Sequence, residues 1–513
     1  MKAEVILKLR NEPILKVILD VLNTGGVNAY LVGGVLRNLV LSQPLGFDYD
    51  IVLEGNIGDT ANLLARRLKG SHFLLDKESG SYRVVTKDIA DLGLRISDLT
   101  SQFPNLKSEV HIDLSPYKGK DIFEDLRNRD FTINAMAVPT NALFEKKKIE
   151  LIDIFNGQID AKNKTIKMLN PDIFDNDPVR LLRAVRLSAQ YSLSIDRETE
   201  RLIKIKANLL PTSSWERIRD EFFSILVCTD SVNYIKKLYE LSLMQEIFPE
   251  VRDWEDLIDY DLIAHAFKTL EQGEKLFNNL KAFVAEFSDS VHNDFQISLG
   301  NISRMGLFKL SLFIHDAGKP TTMKKEEDRI RFIGHEVEGE AICKRIGRRL
   351  KLSRGASTFI SRLVRNHHRV FNLASLKKLQ EQEGSAFLLA QAKPKNLTKR
   401  SWSHMFRAVG GEDGIPLVLL SLADARATRN GDDPELASFV RDLIGFYYKV
   451  YAVSKPKPIL NGNEVMEIFG VSEGVIVGRI LRRLAEAEGE GVVKNKRDGV
   501  KFLKSWLKES KEE

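Results

Sequence analysis

Apolar residues recur at helical spacing through residues 1–22, which predicts a helix packed along one face. The rhythm then changes. Residues 30–54 read YLVGGVLRNLVLSQPLGFDYDIVLE, a short apolar run into a glycine pair, a helical phrase, and a second apolar run with acids at alternate positions. Helical spacing returns over residues 59–69, and short strands are expected around 73–75, 82–86 and 92–99. Residues 100–123 fit neither period. Beyond about residue 141 the pattern is helical nearly to the end. The expected fold class is therefore α+β. A small mixed α/β head (1–140) precedes a long, nearly all-α neck (141–230), body (231–454) and tail (455–513), with KPKP at 455–458 as the last linker.

Composition narrows this picture. A chain of 513 residues that is 43% hydrophobic and 29% charged is globular, with room for about three to four domains. Cys228 and Cys343 lie too far apart for a zinc cluster or a disulfide framework. No apolar run is long enough for a membrane span and no secretory leader is evident, so a cytoplasmic protein without a membrane partner is expected. The net charge of +6 is too modest to establish a nucleic-acid partner, which leaves that argument to local patches.

Candidate chemistry begins at Asp48 and Asp50. In a strand, residues two apart project from the same face, so the two carboxylates aim at one point. Like charges that close repel unless a cation lies between them, and paired hard oxygens suit Mg²⁺. Gly33 and Gly34, before a helical phrase, let backbone N–H groups approach an anion, and Arg37 stands one turn further on. A metal-holding acid pair beside an anion cradle is equipment for nucleotidyl transfer from a triphosphate. A lone acid-x-acid pair is ordinarily a solvated turn; the glycines, Arg37 and flanking strands change that balance.

LVGG, Arg37 and the acid-x-acid strand together resemble the signature of class II nucleotidyltransferases, the tRNA nucleotidyltransferases and bacterial poly(A) polymerases. The resemblance implies a third catalytic carboxylate in the strand after the acid pair, for which Asp98 is the candidate. It also implies a flexible loop with an early arginine, which residues 100–110 lack.

EDLRNRDFTINAMAV (124–138) is similar to the family phrase ending in RRDFTINA, with Asn128 in place of the first arginine. The likeness implies that Asp130 and Asn134 contact the ribose and that Arg129 reaches phosphate. DPVRLLRAVRLSAQYSL (177–193) puts Asp177 and Arg180 three apart on one helical face, with Asp177 as the expected N-cap. A carboxylate beside a guanidinium can read a base edge, though such pairs are commonly plain salt bridges. The family's base-reading motif is EDxxR, and Asn176 stands here for the glutamate. Glu216 and Arg217 are expected to brace the neck.

Five of the nine histidines fall in a second constellation: His265, His315-Asp316, His335, His367-His368, completed by Asp424. The set resembles an HD phosphohydrolase domain, which implies a divalent transition metal held by His265, His315, Asp316, His335, His367 and Asp424. Between residues 344 and 369 lie nine lysines and arginines and no acid. Lys344, Arg345, Arg348, Arg349, Lys351 and Arg354 are candidates for RNA phosphate contacts, although a charge run is often only a solvated face.

Together these imply an enzyme, a tRNA nucleotidyltransferase using Mg²⁺ in the head. Its partners would be the tRNA acceptor stem and 3′ end, CTP, and ATP if complete CCA is made. Both departures, at residues 100–110 and at Asn176, fall on the machinery for switching bases. CC addition is therefore favoured, with a separate A-adding enzyme acting afterwards. The alternatives are a poly(A) polymerase, or an HD-domain metal phosphohydrolase with an RNA-binding head.

Overall fold

The computed structural model describes residues 9, 12–86, 109–144, 151–254, 261–326, 329–382, 399–429, 431–453, 459–489, 493 and 495–509. Two compact units emerge, one from Met1–Arg217 with Lys237–Glu246, the other from Ile218–Lys236 with Ile247–Glu513.

The first unit is built on a six-stranded sheet of β1 (Ala29–Val32), β2 (Asp48–Leu53), β3 (Ser71–Asp76), β4 (Ser81–Thr86), β5 (Val110–Ser115) and β6 (Ala137–Pro139). Their order is β3-β4-β5-β2-β1-β6, and β2 with β5 is the parallel pair. Helices α1 (Pro13–Thr24) and α3 (Ile57–Arg67) share one core with the sheet, while α2 (Gly34–Val40) follows β1 directly. The helix expected over 59–69 and the strands around 73–75 and 82–86 are present, while of the helix expected over 1–22 the part before residue 12 lies outside the described residues apart from Leu9, and the rest is α1. The expected strand over 92–99 lies outside the described residues. VHIDLS, inside the stretch whose period was unassigned, is β5, with every second residue buried. Helix α4 (Arg180–Tyr191) ends the part of this unit that matters for the site.

In the second unit, α5 (Leu262–Asn278), α6 (Arg304–Ile314) and α9 (Gly414–Arg429) pack together. Helix α6, RMGLFKLSLFI, is buried on nearly all sides, as an apolar helix without a polar stripe must be. Helices α7 (His335–Arg349) and α8 (Arg354–Asn366) form a hairpin across residues 350–353. Gly347 permits their close approach, because a Cβ there would meet Ser357 Oγ at 2.5 Å. No described helix is long and apolar enough to cross a membrane.

Candidate active site and metal centre

Asp48 and Asp50 lie two apart on β2, while Tyr49 between them is buried on the opposite face. In the parallel register Asp48 stands opposite His111 and Asp50 opposite Asp113. A third carboxylate thus joins the pair from β5, whereas Asp98 lies outside the described residues. Alternation in VHIDLS, with its acid on the less buried face, was the sequence signal for Asp113. Arg83 on β4 donates to both oxygens of Asp113 at 2.7 Å, and His111 Nδ1 lies 3.1 Å from Asp48 Oδ1.

Gly33 follows β1 with φ 72°, and a Cβ there would lie 2.4 Å from Asp50 Oδ2. Both the left-handed backbone and the close approach demand glycine. The Gly34 N–H donates to the same oxygen at 3.4 Å. Burial pushes the Asp50 carboxyl above its ordinary range, and the charges of Asp113 and Asp48 add to this against Arg129. Repelling carboxylates on adjacent strands are the donor set that a hard divalent cation relieves, so the residues fit Mg²⁺.

Arg37 lies at the end of a hydrogen-bond chain. It donates to Asn134 Oδ1 at 2.8 Å, and Asn134 donates to Asp130 Oδ1 at 2.9 Å. Burial disfavours the Asp130 anion. Arg183 at 3.4 Å, Asn134 and the Phe131 N–H outweigh it, and the carboxyl lies below its usual range. Arg129 is held by Asp125 at 2.9 Å. Helix α4 starts at Arg180, and Asp177 precedes it in extended backbone without serving as its N-cap. The reason is electrostatic: Arg217 takes both Asp177 oxygens at 2.9 and 2.7 Å, and Arg180 Nε remains 3.7 Å away.

The second cluster is buried in the other unit. Helix α6 delivers His315 and Asp316, α5 His265, α9 Asp424, the start of α7 His335, and the end of α8 His367, with His368 next to it. Gly318 makes this possible, since a Cβ there would strike His335 O at 2.1 Å. Asp316 stands between two groups. Oδ2 lies 3.2 Å from His315 Nε2 and 3.4 Å from His265 Nε2, and Oδ1 lies 3.3 Å from His335 Nε2 and 3.6 Å from His367 Nε2. Asp424 Oδ1 lies 3.2 Å from His265 Nε2.

The Nδ1 atoms of His315, His335 and His367 lie 3.0, 2.7 and 2.7 Å from the carbonyls three residues back. This pairing fixes the tautomer and turns Nε2 inward as a ligand atom. Burial pushes the His315 imidazole down, but Asp316 and Asp424 raise it to about 10; burial with His367 and His335 lowers His368 to about 4. Converging imidazoles around two buried carboxylates fit a divalent transition metal. His265, His315 and Asp316 form one candidate ligand group, and His335, His367 and His368 another.

The Poly A polymerase head domain family matches residues 29–167. A family described as the probable RNA and SrmB-binding site of polymerase A matches 192–255, and the HD domain family matches 262–428. The A-adding tRNA nucleotidyltransferase of Deinococcus radiodurans is 28% identical over 94% of this chain and 96% of its own length. The chain thus carries a poly(A) polymerase head, its RNA-binding segment and an HD domain, in that order. The CC-adding tRNA nucleotidyltransferase of Geobacter sulfurreducens is 32% identical over 61% of this chain and 65% of that one. A solved structure of the Thermotoga maritima CCA-adding enzyme complexed with tRNA shares the fold, with a TM-score of 0.54 at 20% identity over 98% of both chains.

In this chain the basic run divides. Lys344 pairs with Glu340 at 2.6 Å, Arg345 with Glu338 at 3.4 Å, and Arg349 with Glu250 at 2.7 Å. Arg348, Lys351 and Arg354 have no carboxylate partner among the described residues. They line a cleft of about 1120 Å³ between α7 and α8, together with Arg369 and Ser361. Ser361 Oγ is buried there without a hydrogen-bond partner.

Proposed function

We propose that the protein is a cytoplasmic enzyme that extends the 3′ end of tRNA from CTP, adding the two cytidines. A separate A-adding enzyme would complete the end. One observation carries the reading of the head. Asp50 lies against Gly33-Gly34, Arg37 is bonded through Asn134 to Asp130, and Arg180 joins the same phrase at Asn128 O, which supports a contiguous nucleotide site. Asp48 and Asp50, with Asp113, would hold Mg²⁺, which when bound supplies activation of the RNA 3′-hydroxyl and charge stabilisation at the leaving pyrophosphate. Arg37 and the Gly34 N–H orient the triphosphate. Asp130 accepts from the ribose hydroxyl, and Asp177 with Arg180 offers an acceptor and a donor to the base edge. Arg129 reaches phosphate.

In the body, His265, His315, Asp316, His335, His367 and Asp424, joined by His368, would hold a divalent transition metal. The buried ligand cluster supports metal binding there. Arg348, Lys351 and Arg354 are the cations of the basic run free to contact RNA phosphates. The deciding experiment incubates tRNA lacking its 3′ end with labelled CTP or ATP supplied separately. Addition of two cytidines from CTP is expected. Incorporation of neither nucleotide overturns the reading, and long A tails transfer it to a poly(A) polymerase.

A further inference from the structure

Helix α4 begins with Arg180 and ends with Tyr191, twelve residues that span about 18 Å. It is fastened to the nucleotide-binding phrases along this whole length. Arg180 donates to Asn128 O at 3.2 Å, and Arg183 reaches Asp130 at 3.4 Å. At the far end the Tyr191 hydroxyl accepts from Arg37 at 2.6 Å and donates to Asn38 Oδ1 at 2.8 Å. The Tyr191 ring also lies beneath the Arg37 guanidinium, 4.6 Å from ring centroid to Cζ.

A guanidinium has five N–H donors. Arg37 spends three of them, on Asn134, Asn38 and Tyr191, which leaves two, including the buried and unpaired Nε. A cation seated on a ring and pinned by three bonds cannot swing to seek its anion. The guanidinium is thus set in place before a ligand arrives, so the orienting entropy is lost on folding and not on binding.

We infer that Tyr191 is a positioning residue for the triphosphate. It locks Arg37, and through Arg37 it ties the phosphate reader to the helix that carries the base reader. The inference rests on the role proposed above for Arg37. The hydroxyl sets the rotation of the guanidinium and the ring sets its height, so the two parts of the side chain are separable by mutation.

The test compares Tyr191→Phe, Tyr191→Leu and Arg37→Lys in the full-length protein by steady-state kinetics, varying CTP at saturating tRNA and tRNA at saturating CTP. Tyr191→Leu, which loses ring and hydroxyl, is expected to raise the CTP KM about tenfold, as removal of a charged hydrogen bond and a cation–π interaction would. Tyr191→Phe should fall between this and the parent, and tRNA KM and thermal midpoint should hold in both. The double variant Arg37→Lys/Tyr191→Leu should be little worse than Arg37→Lys alone, since both remove one device. If Arg37→Lys raises the CTP KM and Tyr191→Leu does not, Tyr191 is only a helix end and the inference fails by itself. If Arg37→Lys leaves the CTP KM unchanged, the proposed role of Arg37 fails and takes the inference with it.

Discussion

Asp50 and Asp113 stand opposite each other on the parallel strands β2 and β5, and Arg83 grips both oxygens of Asp113. Asp113 therefore carries an ion-pair partner of its own, while Asp50, raised above the ordinary carboxylate range, has none among the described residues. We expect Asp48→Ala, Asp50→Ala and Asp113→Ala each to reduce nucleotide incorporation on the order of a thousandfold or more, with fold and tRNA affinity nearly unchanged. Primer-extension rates beside a tRNA gel-shift measure this. Parent-like incorporation in any of the three would remove that acid from the catalytic set.

Much of this was legible in the sequence, because short motifs report local backbone. LVGG, the acid-x-acid strand and RDFTINA each fix a turn or a strand within a few residues, and the α+β class follows from a change of period. Pairing between distant segments is different. Asp113 is separated from Asp50 by more than sixty residues of chain, and only the parallel register of β2 and β5 brings them together. Likewise Tyr191 reads as an ordinary helix end until tertiary packing sets it beneath Arg37. The basic run shows the same limit, since Glu250, which neutralises Arg349, lies far upstream.

The histidine cluster should behave as a separate site. Purified protein is expected to carry a transition metal that resists mild chelation, and His315→Ala or Asp316→Ala should lose it while nucleotide addition continues. Elemental analysis of the three proteins after loading with divalent metals gives the answer. Absence of bound metal under every loading condition would make the cluster purely structural.

The division of the basic run yields a sharper expectation than its net charge does. Arg348→Glu and Lys351→Glu should weaken tRNA binding and flatten its salt dependence, by roughly one unit of slope for each phosphate no longer neutralised. Arg349→Glu should instead cost stability, on the order of 2 kcal/mol, because it leaves Glu250 facing a second acid. Salt titrations of tRNA affinity and thermal melts separate the two effects. Equal affinity in all three variants at low salt would return the run to a solvated face.

The Asp130 carboxyl should be insensitive to pH over the working range. Its folded pKa lies below the ordinary value, since Arg183, Asn134 and the Phe131 N–H outweigh its burial. The anion's stabilising contribution is thus present above the unfolded pKa and lost only as pH falls through the lowered folded value. The KM for CTP should stay flat from about pH 8 down to about pH 5.5, above the ordinary carboxylate range. Asp130→Asn, which cannot carry the charge that Arg183 faces, should raise it at every pH. An Asp130→Asn variant whose CTP KM matches the parent at every pH would show that another group reads the ribose.

On the reading proposed above, the identity of the added bases depends on the two departures from the family's expected base-reading and loop motifs. Asn176 ends the short helix Ile173–Asn176 where the family motif has a glutamate, and an amide offers no negative charge to strengthen an acceptor contact. Asp177 beside it is already gripped by Arg217 through both oxygens, which fixes its position, with Arg180 Nε buried 3.7 Å away. A template fixed in this way suits one base better than a change from C to A. The relatives do not decide the matter, since those similar over most of this chain include both A-adding and CC-adding enzymes. The expected outcome is that tRNA lacking its 3′ end gains two cytidines from CTP, and that tRNA already ending in CC is extended poorly with ATP alone. Extension of the CC-ending tRNA at a rate matching cytidine addition would make this a complete CCA-adding enzyme. Substituting Asn176→Glu should then discriminate between the causes: improved ATP use would put the block in the base-reading motif, and unchanged ATP use would move it to the segment that lacks the early arginine.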